Sequence, residues 1–190
     1  MEFLDKATIK LDKVENELDR LVLDFVKILE KHTKYVIVSG YVAILFGRSR
    51  ATEDVDIFIK RLDFGQFSSL FQELTDNSYY CLNSDDLSDM HGHLAEGLAL
   101  RFAKKGTVIP NFEVKHAKKA ADFESLNNPL TVILPSGSLL VSSIEPQIAY
   151  KRYFLKSEKD LEDAEHLERL FEGKLDKHLI TRYKKLIEGL

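Results

Sequence analysis

The sequence is poor in cysteine and has no long apolar segment. Its single cysteine, Cys81, cannot form an internal disulfide, so nothing in the chain requires an oxidising compartment. The neighbours Tyr79, Tyr80 and Leu82 favour a buried strand cysteine over a reactive thiol. No apolar run approaches the ~20 residues that span a bilayer, and the first residues are charged where a signal peptide would be apolar. We therefore expect a cytoplasmic protein with no membrane partner.

Positive charge is also limited. The 27 Lys and Arg residues are outnumbered by 31 Asp and Glu residues, which gives a formal net charge of −4. The chain as a whole is thus no basic coat for nucleic acid, and an RNA partner would need a local basic patch. Residues 115–119 and 184–185 could supply one, or they could be ordinary solvated faces. With 190 residues, 44% of them hydrophobic, the chain can bury a substantial core.

Hydrophobic periodicity predicts an α/β fold with a helical C-terminal part. The segment 83–97 is polar, and its secondary structure is ambiguous. His91 and His93 within it could suggest a metal site, but no cysteine or further histidine cluster lies nearby in the sequence, so we expect a loop. We expect a mixed α/β domain over residues 1–142 and a helical subdomain over 143–190. The predicted helices are 11–32, 41–46, 64–74, 118–126, 146–156, 158–171 and 175–188, and the predicted strands are 35–38, 55–59, 79–82, 98–103, 112–116, 130–134 and 138–141.

Two carboxylates, Asp54 and Asp56, stand at the start of a predicted strand. Because side chains alternate along a strand, both point to the same face, where they repel each other and lose water. A cation between them relieves that cost, and carboxylate oxygens suit Mg²⁺ or Mn²⁺, which usually also bind phosphate oxygens. Alone, such a pair is also explained as a solvated surface pair.

A Ser39-Gly40 turn joins the preceding strand to a short predicted helix. Bare backbone N–H groups and a hydroxyl at such a turn are well placed to bind phosphate, although turns of this kind are common. Arg50 and Thr52 lie between this turn and the carboxylates. The combination is a layout for phosphoryl transfer, with a metal held beside a phosphate cradle.

These residues resemble the nucleotidyltransferase superfamily, and most closely the AbiEii-type and related minimal nucleotidyltransferase-like proteins. Those proteins read Gly-Gly-x-Ala, then Gly, then Arg-x-Thr-x-Asp-apolar-Asp. One departure is that serine replaces the first glycine and bulky residues follow the second. The resemblance implies a DNA polymerase beta-like fold, with a small mixed sheet and flanking helices. The matching residues are Ser39-Gly40-Tyr41-Val42-Ala43, Gly47 and Arg50-Ala51-Thr52-Glu53-Asp54-Val55-Asp56.

The resemblance also implies a third carboxylate and a lysine. Glu113, on a predicted strand, is the candidate for binding metal or accepting a proton, and the alternative is a solvent-facing glutamate on an edge strand. Glu96 and Asp122 are the fallback candidates. Lys151 would reach the triphosphate by resemblance. A following segment carries Lys159, Asp160 and Asp163, which we expect to be supporting residues or a solvated helix face.

The expected function is metal-dependent transfer of a nucleoside monophosphate from a nucleoside triphosphate, with release of pyrophosphate. Ser39, Gly40, Arg50, Thr52 and Lys151 would bind the nucleotide. The acceptor is not identified by the sequence and could be RNA, including transfer RNA, a protein or a small molecule. Because AbiEii-like proteins include toxins of toxin–antitoxin systems, an antitoxin partner is also implied. The alternative is a catalytically inactive binding or regulatory protein of the same fold, which the serine substitution supports.

Overall fold

The computed structural model describes residues 1–188. Within this range the strands form one mixed sheet of nine strands, in the order β1-β2-β8-β9-β3-β4-β7-β6-β5. The strands are β1 (Glu2–Phe3), β2 (Thr8–Lys10), β3 (Tyr35–Val38), β4 (Asp54–Ile59), β5 (Tyr79–Cys81), β6 (Leu100–Lys104), β7 (Asn111–His116), β8 (Leu130–Leu134) and β9 (Gly137–Val141).

Helices flank the sheet and make up the C-terminal part of the described chain. They are α1 (Glu17–His32), α2 (Gly40–Leu45), α3 (Phe64–Asp76), α4 (Leu87–Glu96), α5 (Ala120–Asn127), α6 (Ile144–Tyr150), a π-helical turn (Lys151–Leu155), α7 (Glu158–Leu170) and α8 (Lys177–Glu188). The predicted α/β class, with a mixed sheet, flanking helices and a helical C-terminal part, is confirmed. The two-part division stays a prediction, and residues 189–190 of its second part lie outside the described residues. No helix within residues 1–188 is both long and apolar enough to cross a membrane.

The main core lies between the sheet and helix α1. Alternate residues of β4 are buried, so the strand presents an apolar face to this core and a polar face to the other side. Phe25 of α1 stacks on Phe112 of β7 with ring centroids 3.8 Å apart, and Tyr79 meets Phe25 edge-on at 5.1 Å. These contacts hold β4 and β7 in place behind the polar face.

The opposite face of the sheet is only partly covered. Leu126 of α5 packs with Val36 of β3 in a small apolar cluster that also contacts Val38 and Phe58. Asp56 is the cross-strand partner of Val38 and alternates with Phe58, so it belongs to this same face. Beyond the apolar cluster the face is therefore left to polar side chains.

Three predicted elements differ from the structure. The helix predicted over 11–32 begins at Glu17, because the Asn16 side chain caps it, while Thr8–Lys10 form a strand parallel to β8. The polar segment 83–97 contains helix α4, so the predicted loop at His91 is wrong: its ring packs against aromatic residues of α3 and contacts the Leu62 carbonyl.

The helix predicted over 146–156 begins earlier and changes type before it ends. Regular α-helix runs only to Tyr150, and Lys151–Leu155 form a π-helical turn that stops at Lys156 in the left-handed conformation. The backbone N–H of Lys156 donates to the Lys151 carbonyl, which is the i to i−5 bond of a π-helix. This wider turn accompanies the burial of the Lys151 side chain.

Candidate functional site

The predicted carboxylate pair lies on the polar face of β4. Asp54 is the first residue of the strand, and Asp56 follows two positions later, so both side chains project to the same side. Each is partly exposed, and the residue that follows each of them, Val55 or Ile57, is buried. Thr52 fixes the start of the strand, because its hydroxyl donates to the Asp54 carbonyl at 2.8 Å.

The neighbouring parallel strand adds Glu113 to the same face. Asp56 and Glu113 are direct cross-strand partners in the β4–β7 pairing, so their side chains emerge side by side. The Glu113 carboxylate also receives hydrogen bonds from Arg101 of β6, at 3.2 and 3.0 Å, and forms an ion pair with Lys115. The alternative reading of Glu113 as an edge-strand residue is wrong, since β7 is flanked by strands on both sides.

The two fallback carboxylates have other surroundings. Glu96 is the last residue of α4, and its backbone carbonyl accepts a hydrogen bond from Lys118. Asp122 accepts the backbone N–H groups of Lys118 and Lys119 at the start of α5. The strand register thus groups Glu113, and neither fallback residue, with the pair on β4.

The two facing carboxylates differ in acidity. Burial, and then the charge of Glu113, raises the pKa of Asp56 to about 6, while Lys115 and a hydrogen bond from Ser39 act in the opposite direction. Burial alone would raise the pKa of Glu113 as well, but hydrogen bonds and charges from Lys115 and Arg101 outweigh it and lower the pKa. Asp56 is therefore the carboxylate whose burial is not outweighed by its basic and hydrogen-bonding neighbours.

The donor set on this face suits a divalent cation. Two carboxylates from β4 and one from β7 offer the oxygen ligands that Mg²⁺ and Mn²⁺ prefer. Burial, and then repulsion from Glu113, raises the pKa of Asp56, and a bound cation would offset both. Within residues 1–188, however, no group of three or more His, Cys, Asp or Glu side chains is arranged so that it could hold a metal ion. Glu113 in particular is turned to its two basic neighbours.

The predicted phosphate turn has an unusual backbone. Ser39 lies at φ 64° and ψ −134°, a conformation that favours glycine, and α2 begins at Gly40. The bulky residues that follow do not fill the turn. Tyr41 and Val42 are fully buried, and the Tyr41 hydroxyl donates to Asp19 of α1 at 2.9 Å. The side chains of Tyr41 and Val42 therefore lie in the core and leave the Ser39–Gly40 turn open.

The two predicted basic residues meet at a buried aspartate of α7. Arg50 donates from Nε and Nη2 to the two carboxylate oxygens of Asp163, each at 3.1 Å. Lys151 donates from Nζ to Asp163 at 2.9 Å and to Asp160 at 3.3 Å. The structure thus brings Arg50 and Lys151 together, with their charges directed at carboxylates.

Asp163, which the sequence predicts as a supporting residue or part of a solvated helix face, is 0% exposed. The signal was present, because Asp160 and Asp163 fall at helical spacing with Ala164 and Leu167, which are buried on the same face of α7. Arg101 was also missed. It alternates with buried residues in β6, which places it beside Glu113, but its strand pairing could not be read locally.

Comparison with known proteins identifies the fold. The sequence matches no protein-family profile and no curated protein. The solution structure of the antibiotic-resistance factor ANT(2'')-Ia has a TM-score of 0.55 at 11% identity, covering 90% of both chains. A crystal structure of ANT(2")-Ia with adenylyl-2"-tobramycin also has a TM-score of 0.55, at 12% identity, covering 90% of this chain and 96% of that one.

A third solved structure is also similar. The antigenic nucleotidyltransferase-like protein from Paracoccidioides brasiliensis has a TM-score of 0.52 at 17% identity, with 91% of this chain and 88% of that chain covered. Likeness at such low identity is evidence of shared architecture, while function has to be argued from the site. Since these structural matches cover about nine-tenths of the chain, this chain has the mixed α/β fold of the nucleotidyltransferases.

Proposed function

We propose that this protein is a metal-dependent nucleotidyltransferase. It moves a nucleoside monophosphate from a nucleoside triphosphate to an acceptor hydroxyl or phosphate. The observation that supports this most is the placement of Asp54, Asp56 and Glu113 on one face of two paired strands, in a nucleotidyltransferase fold. The Ser39–Gly40 turn lies next to that face, because Val38 is the cross-strand partner of Asp56.

The proposed reaction is a displacement at the α-phosphorus. The acceptor oxygen forms the new bond to phosphorus, the bond to the bridging oxygen of the β-phosphate breaks, and pyrophosphate leaves. Asp54 and Asp56 would hold Mg²⁺ or Mn²⁺, with Glu113 as a third ligand. When bound, the metal neutralises phosphate charge and polarises the reacting phosphate. The chain itself contributes positioning, through Ser39, Gly40 and the neighbouring basic residues.

Acidity helps to divide the carboxylates between roles. The pKa of Glu113 is lowered by Lys115 and Arg101 in spite of its burial, so it stays charged and is a weak proton acceptor. This favours Glu113 as a ligand and an electrostatic partner. Asp56 would also act as a ligand, because a bound cation would offset the burial and the charge of Glu113 that raise its pKa. The proton of the acceptor hydroxyl would then pass to water.

The acceptor is proposed only by class. ANT(2")-Ia is seen with adenylyl-2"-tobramycin, so a small-molecule acceptor is one class, and RNA or protein are the others. By its AbiEii-like sequence pattern, the chain is also proposed as a toxin that an antitoxin partner controls. Incubation with labelled triphosphates and a mixed pool of total RNA, proteins and aminoglycosides shows where the label is transferred.

The central test is the exchange of each carboxylate of β4. We expect Asp54→Asn and Asp56→Asn each to lower nucleotide transfer roughly a hundredfold or more, because they remove charge that acts on the reacting phosphate. Glu53→Gln is the matched control, since Glu53 is the exposed neighbour on the same segment. Transfer that continues near the parent rate in both aspartate variants contradicts the proposal.

A second candidate is a non-catalytic protein that uses the fold for binding or regulation. Two observations favour it: the strained Ser39 backbone, and the engagement of Arg50 and Lys151 by Asp163. Calorimetry with each nucleoside triphosphate, with and without Mg²⁺, separates the two functions. Metal-dependent binding that Asp56→Asn abolishes supports the enzyme. Absence of binding for every triphosphate supports the regulator.

A further inference from the structure

Helix α7 places a buried carboxylate against the loop that leads into β4. Asp163 is 0% exposed and is shared by three cations. Arg50 binds it through two hydrogen bonds of 3.1 Å, Lys151 through one of 2.9 Å, and Arg48 approaches it with Nε at 3.6 Å. A buried carboxylate with several charge-assisted contacts is held in one position. Asp163 therefore holds the loop that contains Arg48 and Arg50 in a defined position against α7.

The tied arginine lies directly over the phosphate turn. A Cβ atom built on Gly40 would lie 2.2 Å from Nη2 of Arg50 and 3.2 Å from its Cζ. Real side-chain atoms do not approach so closely, so only glycine leaves room for the guanidinium here. Gly40 shows no positive φ that would itself require glycine. The glycine is explained by the arginine above it.

The hydrogen bonds from Arg50 to Asp163, called the clamp below, use only part of the hydrogen-bonding capacity of the Arg50 guanidinium. Nε and Nη2 each donate to Asp163, and Nη1 donates to the Ala51 carbonyl at 3.1 Å. A guanidinium has five N–H groups, so two have no partner among residues 1–188. A planar cation with two free donors, fixed beside the Ser39–Gly40 turn, is suited to a phosphate group.

We infer that Asp163 is a positioning residue that holds Arg50 over Gly40 and thereby sets the binding of the triphosphate. The part of this inference that concerns phosphate rests on the proposed function. The part that concerns the clamp does not, because it is a statement about which groups fix the Arg50 side chain. Lys151 then supports the clamp from within the protein, where its charge offsets Asp160 and Asp163.

The clamp is tested by thermal unfolding alone. Gly40→Ala should lower Tm by roughly 4 °C or more in the parent protein, because the new methyl group collides with a fixed guanidinium. With Arg50→Ala the same exchange should leave Tm unchanged or raise it, since alanine is the better helix former. With Asp163→Asn the loss should be smaller than in the parent, because Arg50 can move aside. Equal losses in all three backgrounds overturn the inference.

Asp163→Asn leaves the buried Lys151 charge with Asp160 as its carboxylate partner, and the variant can fail to fold because one of the two balancing charges is lost. The double variant Asp163→Asn/Lys151→Met removes both charges of that ion pair, while Asp160 keeps its hydrogen bond from Ser157. It replaces Asp163→Asn in the unfolding experiment if the single variant does not fold. Glu162→Gln is the matched control on the same helix, because Glu162 is an exposed partner of Arg48. Its presence should not change the effect of Gly40→Ala.

The phosphate part is tested by calorimetry with inorganic pyrophosphate in the presence of Mg²⁺. We expect Arg50→Ala and Asp163→Asn each to weaken pyrophosphate binding about tenfold or more. The combination Arg50→Ala/Asp163→Asn should bind no more weakly than Arg50→Ala alone. Glu162→Gln should bind like the parent. Additive losses, or unchanged binding in Asp163→Asn, overturn the positioning role. If the parent binds neither pyrophosphate nor any triphosphate, the proposed function and the phosphate part both fail, while the unfolding cycle still decides the clamp.

Discussion

Asp56→Asn is expected to stabilise the metal-free protein at neutral pH while it removes the proposed metal site. Burial and the charge of Glu113 raise the pKa of Asp56 to about 6. Asparagine has nearly the same shape, carries no charge and still accepts a hydrogen bond from Ser39. The exchange therefore removes an electrostatic penalty and leaves the packing in place, as is usual for carboxylates kept for function.

The magnitude follows from the difference in pKa between the folded and unfolded chain. The ordinary pKa of aspartate is 3.8, so a rise to about 6 costs the ionised native state ~3 kcal/mol of unfolding free energy. Above pH 6 both states are ionised and the whole penalty applies. Below it the folded chain takes up the proton first, and below about pH 3.8 both states are protonated and the penalty is gone. The advantage of the variant should thus be largest above about pH 7 and vanish near pH 4.

Urea unfolding at about pH 4, 6 and 8 in the presence of a chelator measures this advantage. Glu53→Gln, at an exposed position beside the pair, should change the unfolding free energy by less than ~0.5 kcal/mol at each pH. Added Mg²⁺ at pH 8 should stabilise the parent and not Asp56→Asn. The reasoning is refuted if the variant is the less stable protein at pH 8, or if its gain is the same at all three values of pH.

Two further exchanges test the backbone of the site and the core behind it. Ser39→Gly should raise the free energy of unfolding by ~1 kcal/mol, because it relieves a positive φ, and should lower transfer activity through loss of the hydroxyl. Ser39→Ala keeps the positive φ on a residue with a side chain, so it should lower transfer activity without the gain in stability. Equal stability of the two variants in urea contradicts the backbone strain at Ser39. Phe25→Ala should lower the free energy of unfolding by about 3–5 kcal/mol, because it empties the ring stack behind β4 and β7, whereas Val14→Ala at a 96% exposed position should be nearly neutral in the same assay.

The parts of the site that follow short-range rules were predictable from the sequence. Period-two burial placed Asp54 and Asp56 on one face, and the apolar neighbours of Glu113 placed it on a strand. The register between β4 and β7 was not available, because cross-strand pairing between distant segments leaves no local pattern. The sequence therefore supplied the three carboxylates, and the structure supplied their adjacency.

Long-range charge pairing explains the rest of what was missed. The resemblance predicts that Arg50 binds the triphosphate, but it does not predict the pairing with Asp163, which lies 113 residues further along the chain in α7. Charged residues in a helix are normally solvated, so the burial of Asp163 contradicts a sound general rule. The N-terminal strands were missed for a similar reason, since Thr8–Lys10 is short and pairs with Thr131 to Ile133.

Because the β4–β7 pairing places the carboxylates side by side, their arrangement does not depend on the length of the chain between the two strands. Asp56 and Glu113 are joined by lateral pairing, while everything from α3 to β6 lies in the segment that connects them. Length changes in the surface turns of that segment, such as residues 105–110, leave the carboxylates opposite each other as long as the pairing is kept. A slip of one residue in the pairing would instead bring Phe112 or Val114 opposite Asp56. The connecting turns can therefore change in length and sequence while the proposed metal-binding face stays intact.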